Sequence, residues 1–347
     1  MNVVMSEVKI GGQVVKKICL KNDKGMEVEC LNLGGIITKI NVPDREGKVE
    51  NVVLAYDDLN VYAENPGYLG AIIGRTAGRI HKGQITLNNI TYPLGKNNDQ
   101  KGNTLHGGIS GFDKKIWDVE PFEDFDQVGV HLHAISEDGE EGYPGCVRIT
   151  VTYVLKEDNT FEIAYYGVSD KDTLLNMTNH SYFNLSGNAK TPVTTQMLTV
   201  ESDSVTELDA QNIATGHLLS VEEHTALNFK KEKCIGQDIE ADILTLQGGY
   251  DHAWKLNKGH QVDAKLRDEA SGRCMSVVTS CEAVVIYSLN FPNDYLLDNK
   301  KVMAHRGGIC FETQSLPIGY NECFKESSLL RAQEPYKAAT QFKFTIE

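Results

Sequence analysis

A histidine lies in the middle of a polar but formally uncharged stretch of the chain. Residues 176–187 read NMTNHSYFNLSG, in which seven of the twelve side chains belong to Asn, Thr, Ser or His. The stretch holds no Lys, Arg, Asp or Glu, so only His180 can become a cation there. This composition suits a pocket in which neutral groups orient a histidine and a polar, uncharged ligand. The alternative is a polar turn with a structural histidine, because most loop residues carry no function.

A carboxylate stands in an apolar segment much later in the chain. Residues 308–313 read GICFET, which predicts a strand with Glu312 among apolar neighbours. Burial there would raise the pKa of the carboxyl, since burial disfavours the charged form. A histidine and a carboxyl whose pKa values lie near the working pH can serve as an acid and a base. A glutamate on a solvated strand face is the alternative, and it is the more common case.

Three further motifs place polar side chains beside glycines. Arg75 and Arg79 stand four apart in GRTAGRI (residues 74–80), and a structural arginine that ties loops together is the alternative for one of them. His106 precedes two glycines, which allow a close backbone approach to a ligand. A turn histidine is the alternative. Asp251 follows two glycines and a tyrosine, a sequence that by itself indicates only a turn.

The elements that must hold these side chains are strands, because the apolar pattern has a period of two. Val147, Ile149 and Val151 alternate with polar residues, and the alternation resumes at Phe161 after a turn, which predicts a hairpin. A two-residue hairpin turn is predicted at the Asn-Asn pair of residues 88–89, since Asn tolerates positive φ. Helix signals are limited to residues 57–64 and 238–246. Further strands are predicted at residues 28–33, 36–42, 84–87, 128–134, 197–201, 275–280, 283–289 and 341–346.

Many short strands with few short helices predict an all-β fold. A sandwich or a barrel fits this pattern, whereas a parallel α/β sheet does not. The chain has 347 residues without an internal repeat, a low-complexity tract or a linker rich in Pro, Ser or charge. A single domain over residues 1–347 is therefore the simpler prediction.

Composition argues against several classes of function. The net charge of -14 disfavours nucleic-acid binding, which requires basic patches. The eight cysteines show no CxxC or other metal-type spacing, which indicates free thiols in a reducing compartment. There is no HExxH, phosphate-loop or GxSxG motif, no signal-peptide pattern and no apolar run long enough for a membrane span. We therefore expect a cytoplasmic protein with no metal site and no nucleic-acid or membrane partner.

Five motifs in this sequence together resemble the aldose 1-epimerase (galactose mutarotase) family. Each motif alone is weak, but they occur in the family's order and span most of the chain. They are GRTAGRI (residues 74–80), LHGG with GFD (105–108 and 111–113), TNHSYFNL (178–185), YDH (250–252) and FETQ with LP (311–314 and 316–317). The resemblance implies a large antiparallel β-sandwich of the galactose mutarotase type, with the site in a cleft on one sheet.

The resemblance also implies the reaction. Such an isomerase interconverts the α and β anomers of free aldohexoses such as glucose and galactose by opening and closing the sugar ring. By resemblance, His180 protonates the ring oxygen and Glu312 accepts the proton of the anomeric hydroxyl. The reaction needs no cofactor, and we expect a monosaccharide as the partner of a monomer or homodimer.

The remaining roles also follow from the resemblance. Arg79 orients the substrate, His106 binds the sugar and Asp251 accepts hydrogen bonds from its hydroxyls. Ser181 and Tyr182 are expected to line the pocket. A catalytically silent sugar-binding or regulatory protein on the same fold is one alternative. A hexose-6-phosphate 1-epimerase is another, and it would need further basic residues in the cleft.

Two positions depart from the family pattern. Many members have Asn where this chain has Gly78, and an ungapped match puts Val285 where many members have Gln on a late strand. An apolar wall imposes no penalty on a sugar that lacks a hydroxyl, so we expect broad tolerance among aldoses. The alternative is that Val285 points into the core.

Overall fold

The alternating pattern at residues 147–165 forms the predicted hairpin. Strands Val147–Lys156 and Thr160–Ser169 pair antiparallel, with Leu155 opposite Phe161. The first strand begins at Val147, where the alternation begins, and each strand also pairs with a further neighbour on its other edge. Inward and outward side chains alternate along them, as half-buried strands require.

The computed structural model describes residues 1–98 and 102–347, and strands dominate both parts. Each strand predicted from the sequence is confirmed, the one at residues 84–87 with its predicted ends and the others with shifted ends. In chain order the strands are β1 (Asn2–Ile10), β2 (Gln13–Lys21), β3 (Glu27–Leu31), β4 (Ile37–Pro43), β5 (Val49–Asn51), β6 (Ile72–Ile73), β7 (Arg79–Ile80), β8 (Gln84–Leu87), β9 (Ile90–Pro93), β10 (Thr104–Leu105), β11 (Asp118–Glu123), β12 (Gln127–Ser136), β13 (Val147–Lys156), β14 (Thr160–Ser169), β15 (Thr173–Leu174), β16 (Thr178–Asn179), β17 (Tyr182–Phe183), β18 (Met197–Val200), β19 (Ser202–Leu208), β20 (Ala214–Ser220), β21 (Lys233–Cys234), β22 (Asp251–Leu256), β23 (Ala264–Arg267), β24 (Arg273–Thr279), β25 (Ala283–Tyr287), β26 (Ile309–Gln314), β27 (Leu329–Leu330) and β28 (Pro335–Ile346).

Helical structure in the described residues is limited to short 3₁₀ segments. One of them, Leu59–Ala63, falls within the helix candidate at residues 57–64, and another, Asp242–Gln247, overlaps the candidate at 238–246 and ends one residue beyond it; each is shorter than predicted. No helix in these parts of the chain is long and apolar enough to cross a membrane. The segments are Leu59–Ala63, His81–Gly83, Phe112–Lys114, Glu140–Gly142, Val193–Thr195, Thr225–Leu227, Ile235–Gln237, Asp242–Gln247, Tyr320–Glu322 and Lys325–Ser328.

The turn between β8 and β9 consists of Asn88 and Asn89. Their φ angles are 50° and 63°. A two-residue hairpin turn whose twist matches the flanking strands needs positive φ at both positions, and Asn tolerates that conformation. The predicted turn is confirmed.

Three large antiparallel sheets organise the described strands. Strands β1 to β5 form a five-stranded sheet in chain order. A nine-stranded sheet has the order β11-β12-β13-β14-β28-β24-β23-β18-β21, and a six-stranded sheet has the order β17-β26-β25-β22-β19-β20. This arrangement confirms the predicted all-β class and the large antiparallel β-sandwich.

The six-stranded sheet packs one face against the nine-stranded sheet. The rings of Phe183 on β17 and Phe342 on β28 lie 5.2 Å apart. Thr313 Oγ1 on β26 lies 2.6 Å from Thr340 Oγ1 on β28. Because successive side chains of a strand point to opposite faces, Glu312 on β26 points away from this core. The outer face of the six-stranded sheet thus presents Glu312 and the residues beside it.

Candidate active site

A cavity of about 300 Å³ opens on the outer face of the six-stranded sheet. Tyr68, His106 and His180 from loops, with Arg79 at the start of β7, form its walls. Among the predicted site residues, Ser181 alone is absent from the lining. The floor consists of side chains from neighbouring strands of the sheet, namely Tyr182, Glu312, Gln314, Val285, Tyr287, Asp251, Ala253, Thr206 and Leu208.

His180 and Glu312 meet within this cavity, although residues 181–311 lie between them in the chain. Nε2 of the histidine lies 3.4 Å from Oε1 of the glutamate, and the residues are only 5% and 3% exposed. The backbone fixes His180, since its N–H donates to the Ala71 carbonyl and its carbonyl accepts from the Gly70 N–H. Cys310 Sγ lies 3.6 Å from Nδ1. Nε2 is therefore the ring atom that faces the carboxyl group.

Burial decides the protonation of this pair. It lowers the pKa of His180 to about 4, because an imidazolium loses its hydration there. It raises the pKa of Glu312 to about 8, with the charge of Asp251 adding to the rise and that of Arg79 opposing it. Between these values the pair holds one proton, which resides on Glu312. The pair therefore offers one acid and one base.

The left-handed backbone of His106 turns its ring towards the same pair. Its φ is 52°, and its ring centroid lies 5.3 Å from that of His180. Nδ1 accepts a hydrogen bond from the Gly78 N–H at 3.3 Å, which leaves Nε2–H as a donor for a ligand. Burial lowers the pKa of His106 well below its usual value, which keeps this imidazole neutral.

The two glycines after His106 serve the fold. A Cβ at Gly107 would lie 1.9 Å from the carbonyl oxygen of Gly74, and one at Gly108 would lie 2.3 Å from a carboxyl oxygen of Glu141. The close approach at these positions is thus to the chain's own atoms. The expectation that the glycines admit a ligand is corrected, because packing against neighbouring segments already requires them.

The two arginines of the GRTAGRI motif have different surroundings. Arg75 is buried, and its guanidinium donates to the backbone carbonyls of four residues that belong to the segment 136–145. Arg75 is therefore the structural arginine of the two, which the sequence alone could not decide. Arg79 lines the cavity, and its Nη1 lies 3.7 Å from Oδ2 of Asp251. Only Arg79 is thus placed to meet a ligand.

Two neighbours contact the same carboxylate oxygen of Asp251. Asn212 Nδ2 donates to Asp251 Oδ2 at 3.1 Å, and Arg79 Nη1 lies 3.7 Å from that oxygen. Burial raises the pKa of Asp251 to about 6, while Arg79 and Asn212 oppose that rise. Near neutral pH the carboxylate is ionised and can accept hydrogen bonds from a ligand.

Of the two buried residues that follow His180, only one lines the cavity. The hydroxyl of Ser181 is buried and donates to Asn179 Oδ1 at 2.7 Å, so this side chain supports the loop instead of lining the cavity. Tyr182 lines the cavity, and its hydroxyl donates to the Gly67 carbonyl at 3.0 Å. The structure thus brings Tyr182 to the site and leaves Ser181 outside it.

Some lining residues were not singled out from the sequence. Tyr68 packs its ring 4.8 Å from that of His106 and 5.8 Å from that of His180, and no local pattern indicates this contact. Gln314 is two residues beyond Glu312 on β26, so the period of two was a usable signal for it. Asn212 reaches the site through Asp251, and sequence gives no sign of that contact.

Both departures from the family pattern lie at the cavity. Gly78 and Val285 line it, and Val285 is directly opposite Glu312 in the pairing of β25 with β26. The alternative in which Val285 points into the core is therefore wrong. Its neighbour Ala253 on β22 also lines the cavity, so an apolar strip lies next to the acid–base pair.

Three side chains of the site have the geometry to hold a metal ion. One ligand atom each from His106, His180 and Glu312 lies within 4.8 Å of the others. Two imidazoles and one carboxylate form a donor set that zinc accepts in catalytic sites. The same three groups are the predicted acid, base and sugar-binding histidine, so a bound metal would compete with the predicted proton transfer.

Comparisons with known proteins identify the relatives of this chain. The aldose 1-epimerase family model matches residues 16–343. The chain is 35% identical to the galactose mutarotase of Mus musculus over 346 residues, which cover 99% of this chain and 98% of that protein. It is 34% identical to the aldose 1-epimerase of Haemophilus influenzae over 338 residues, or 96% of each chain. The crystal structure of galactose 1-epimerase from Lactobacillus acidophilus matches with a TM-score of 0.87 and 29% identity, covering 99% of this chain and 98% of that one.

These matches extend over nearly the whole chain and concern both sequence and fold. Residues from all five motifs of the sequence analysis line the cavity, from Gly78 to Pro317. The chain belongs to the aldose 1-epimerase family.

Proposed function

We propose that this protein is an aldose 1-epimerase, or mutarotase, that interconverts the α and β anomers of free aldohexoses such as glucose and galactose. The observation that carries the proposal is the buried pair of His180 and Glu312 in one cavity, with 3.4 Å between Nε2 and Oε1. Relatives that align over the full chain bear the names galactose mutarotase and aldose 1-epimerase.

In the proposed reaction, proton transfers open and close the sugar ring. Glu312 takes the proton of the anomeric hydroxyl while His180 gives a proton to the ring oxygen, and the bond between C1 and the ring oxygen breaks. The open-chain aldehyde rotates about its C1–C2 bond. Ring closure on the other face then returns both protons, so the enzyme ends as it began. An acid and a base each contribute about 10²–10⁴-fold to such a step.

The pKa shifts match one stage of this cycle. Ring opening starts from the less populated arrangement, in which the one proton of the pair lies on His180 as imidazolium beside the Glu312 carboxylate, and it ends with neutral imidazole and carboxylic acid. The second arrangement is the one that burial favours, since it lowers the pKa of His180 and raises that of Glu312. The site therefore stabilises the proton arrangement that accompanies the open-chain sugar.

The other lining groups would orient the sugar. Arg79 and the Nε2–H of His106 supply hydrogen-bond donors, and Asp251 supplies an acceptor for sugar hydroxyls. Tyr182 shapes the cavity through its bond to the Gly67 carbonyl. The mechanism needs no metal, nucleotide or other cofactor, because each proton moves between the sugar and a side chain.

Two other functions are weaker. A silent sugar-binding protein would not need an acid–base pair at this separation. A hexose-6-phosphate 1-epimerase would need cations for the phosphate, yet Arg79 is the only Lys or Arg among the described residues that line the cavity. Asp251 already neutralises much of its charge at 3.7 Å.

We propose one domain over residues 1–347. Val28 on β3, Val130 on β12 and Val284 on β25 belong to one buried hydrophobic cluster, which supports a shared core for the three large sheets. We also propose a cytoplasmic monomer or homodimer that acts on a monosaccharide. The eight free cysteines support a reducing compartment.

Optical rotation of freshly dissolved α-D-glucose or α-D-galactose tests the function directly. With protein present, the rotation should reach its equilibrium value faster than in buffer alone. Heat-denatured protein at the same concentration serves as the control. If no aldose equilibrates faster than in buffer, the proposed activity is wrong.

A further inference from the structure

Strand β26 presents a second polar side chain to the cavity besides Glu312. Successive residues of a strand alternate in direction, so Gln314 shares the face of Glu312 while Thr313 points to the opposite side. Thr313 accordingly meets Thr340 in the core, and Gln314 lines the cavity. None of the roles proposed above uses Gln314.

The amide of Gln314 is paired at one end only. Its Nε2 donates to the carbonyl oxygen of Ser315 at 3.1 Å, and that oxygen also accepts from Asn176 Nδ2 at 3.2 Å. The Ser315 N–H in turn donates to Asn176 Oδ1 at 2.9 Å. This network fixes the orientation of the amide, because a flipped amide would place two oxygens against each other.

The other end of the amide lacks a partner. Gln314 is completely buried, and its Oε1 has no hydrogen-bond partner among the described residues. A buried carbonyl oxygen without a donor is unfavourable, and native proteins rarely leave one unless a ligand or water completes it. The site therefore has an unused acceptor, and a hydroxyl group is the donor that a sugar brings.

The cavity residues Gly78, Val285 and Ala253 near Gln314 bring no polar side chain. Gly78 lies beside it, where even a Cβ would be 3.9 Å from Gln314 Nε2 and 3.2 Å from Pro317 Cβ. On the neighbouring strands, Val285 and Ala253 offer only apolar atoms. Gln314 is thus the polar group of an otherwise apolar part of the cavity.

We propose that Gln314 is a specificity-determining residue, whose Oε1 accepts a hydrogen bond from one non-reacting hydroxyl of the bound aldose. The inference rests on the proposed function for the identity of the ligand. It narrows the substrate class, because the site should select aldoses that carry this hydroxyl. Changes at the hydroxyls beside Val285 and Ala253 should affect binding only weakly. A site built around a polar partner rejects an analogue that lacks it, since its own group then stays unpaired.

The test combines a variant with a set of deoxy sugars. Gln314→Met keeps the length of the side chain and removes the amide, with Gln314→Leu as a second variant should the first fold poorly. Thr313→Val, on the opposite face of the same strand, is the matched control. The sugars are the best hexose substrate and its 2-, 3-, 4- and 6-deoxy analogues, which all keep the anomeric hydroxyl and the ring oxygen. Polarimetry gives kcat/KM and calorimetric titration gives Kd for each pair.

In the unmodified protein, one deoxy analogue should lose about tenfold in kcat/KM and in affinity, the effect of one neutral hydrogen bond at the strong end of its range. Gln314→Met should lose a similar factor with the parent hexose and nothing further with that analogue. Thr313→Val should retain the discrimination of the unmodified protein.

Two results would overturn the proposal. One is that Gln314→Met leaves kcat/KM and Kd for the parent hexose unchanged. The other is that it lowers kcat/KM and weakens binding by the same factor for the parent hexose and all four analogues. The Kd values separate failure of this proposal from failure of the proposed function, because they do not depend on turnover. If no sugar were epimerised, the affinities would still show whether Gln314 and one hydroxyl are coupled.

Discussion

Nε2 of His180 lies 3.4 Å from Oε1 of Glu312, with both side chains almost completely buried. This separation is longer than the usual donor–acceptor distance of an N–H···O hydrogen bond, which is about 2.7–3.2 Å. Each group is therefore available to a sugar oxygen, while the two remain close enough to share one proton. The first two predictions follow from this relationship.

Removal of either member of the pair should abolish most of the activity. We expect Glu312→Gln and His180→Asn each to lower kcat by about 10²–10⁴-fold, because each removes the acid or the base. The double variant should lose less than the product of the single losses, since the two residues act as a unit. Polarimetry measures the rates, and thermal denaturation checks that the variants fold.

His133→Asn is a matched control for these variants. His133 lies on β12 in the nine-stranded sheet with a 41% exposed side chain, and it is absent from the cavity lining. It should keep the full rate. Near-normal kcat in either Glu312→Gln or His180→Asn would show that the role of that residue is assigned incorrectly.

The pH profile of kcat/KM should be bell-shaped, because the pair is active with one proton. Below its acid limb the pair holds two protons and has no base, and the lowered pKa of His180 puts this limb near about 4. Above its alkaline limb the pair holds none and has no acid, and the raised pKa of Glu312 puts this limb near about 8. Rates need subtraction of the buffer reaction at each pH.

Asp251→Asn should move the alkaline limb to lower pH. The negative charge of Asp251 raises the pKa of Glu312, so its removal lets Glu312 lose the proton earlier. The acid limb should move little, because Asp251 is not among the causes of the His180 shift. An alkaline limb that stayed in place would argue that another group sets it.

Chelation should leave the activity intact, whereas zinc should inhibit. The proposed reaction uses side-chain protons only, so EDTA should not change kcat. Added Zn²⁺ should bind the atoms of His106, His180 and Glu312 that lie within 4.8 Å of one another, and it should block the acid and the base. EDTA should reverse this inhibition, and Mg²⁺, which prefers oxygen ligands, should have little effect. Loss of activity on chelation, with recovery on addition of a metal, would contradict the mechanism.

The two arginines of one motif should respond in opposite ways to substitution by Met. Arg75→Met leaves several buried backbone carbonyls without their donor, so we expect a loss of about 3 kcal/mol or more in the free energy of unfolding. Arg79→Met should change this free energy little, because its side chain is partly exposed, and should instead raise KM. Denaturant titration and kinetics on both variants measure the contrast. Equal destabilisation by the two would refute it.

Apolar contacts at Val285 should keep the enzyme tolerant of changes at the hydroxyls that face it. We expect less than about tenfold differences in kcat/KM among D-glucose, D-galactose and pentose analogues there, since apolar walls discriminate weakly. Val285→Gln adds a donor and an acceptor beside Glu312 and should sharpen the discrimination. A preference of a hundredfold or more in the unmodified protein, at hydroxyls other than the one assigned to Gln314, would contradict this expectation.

The pattern of the sequence predicted the strands and the faces of their side chains. A period of two is a local property of the covalent chain, so the hairpin at Leu155 and Phe161 and the turn at Asn88 and Asn89 could be read directly. The same period could have placed Gln314 beside Glu312. The five motifs, through their resemblance to a known family, indicated the reaction and the residues that take part.

Only the tertiary structure decided which distant residues meet and how deeply they are buried. Nothing local in the sequence showed that Arg75 binds carbonyls while Arg79 lines the cavity, or that Ser181 turns away from it. His180 is brought to Glu312 by the pairing of β26 with its neighbours and by the backbone hydrogen bonds of His180 to Gly70 and Ala71. The physical reason is that strands from remote parts of the chain must pair before these side chains are buried and brought into contact. Burial and these contacts then set the pKa values on which the acid and the base depend.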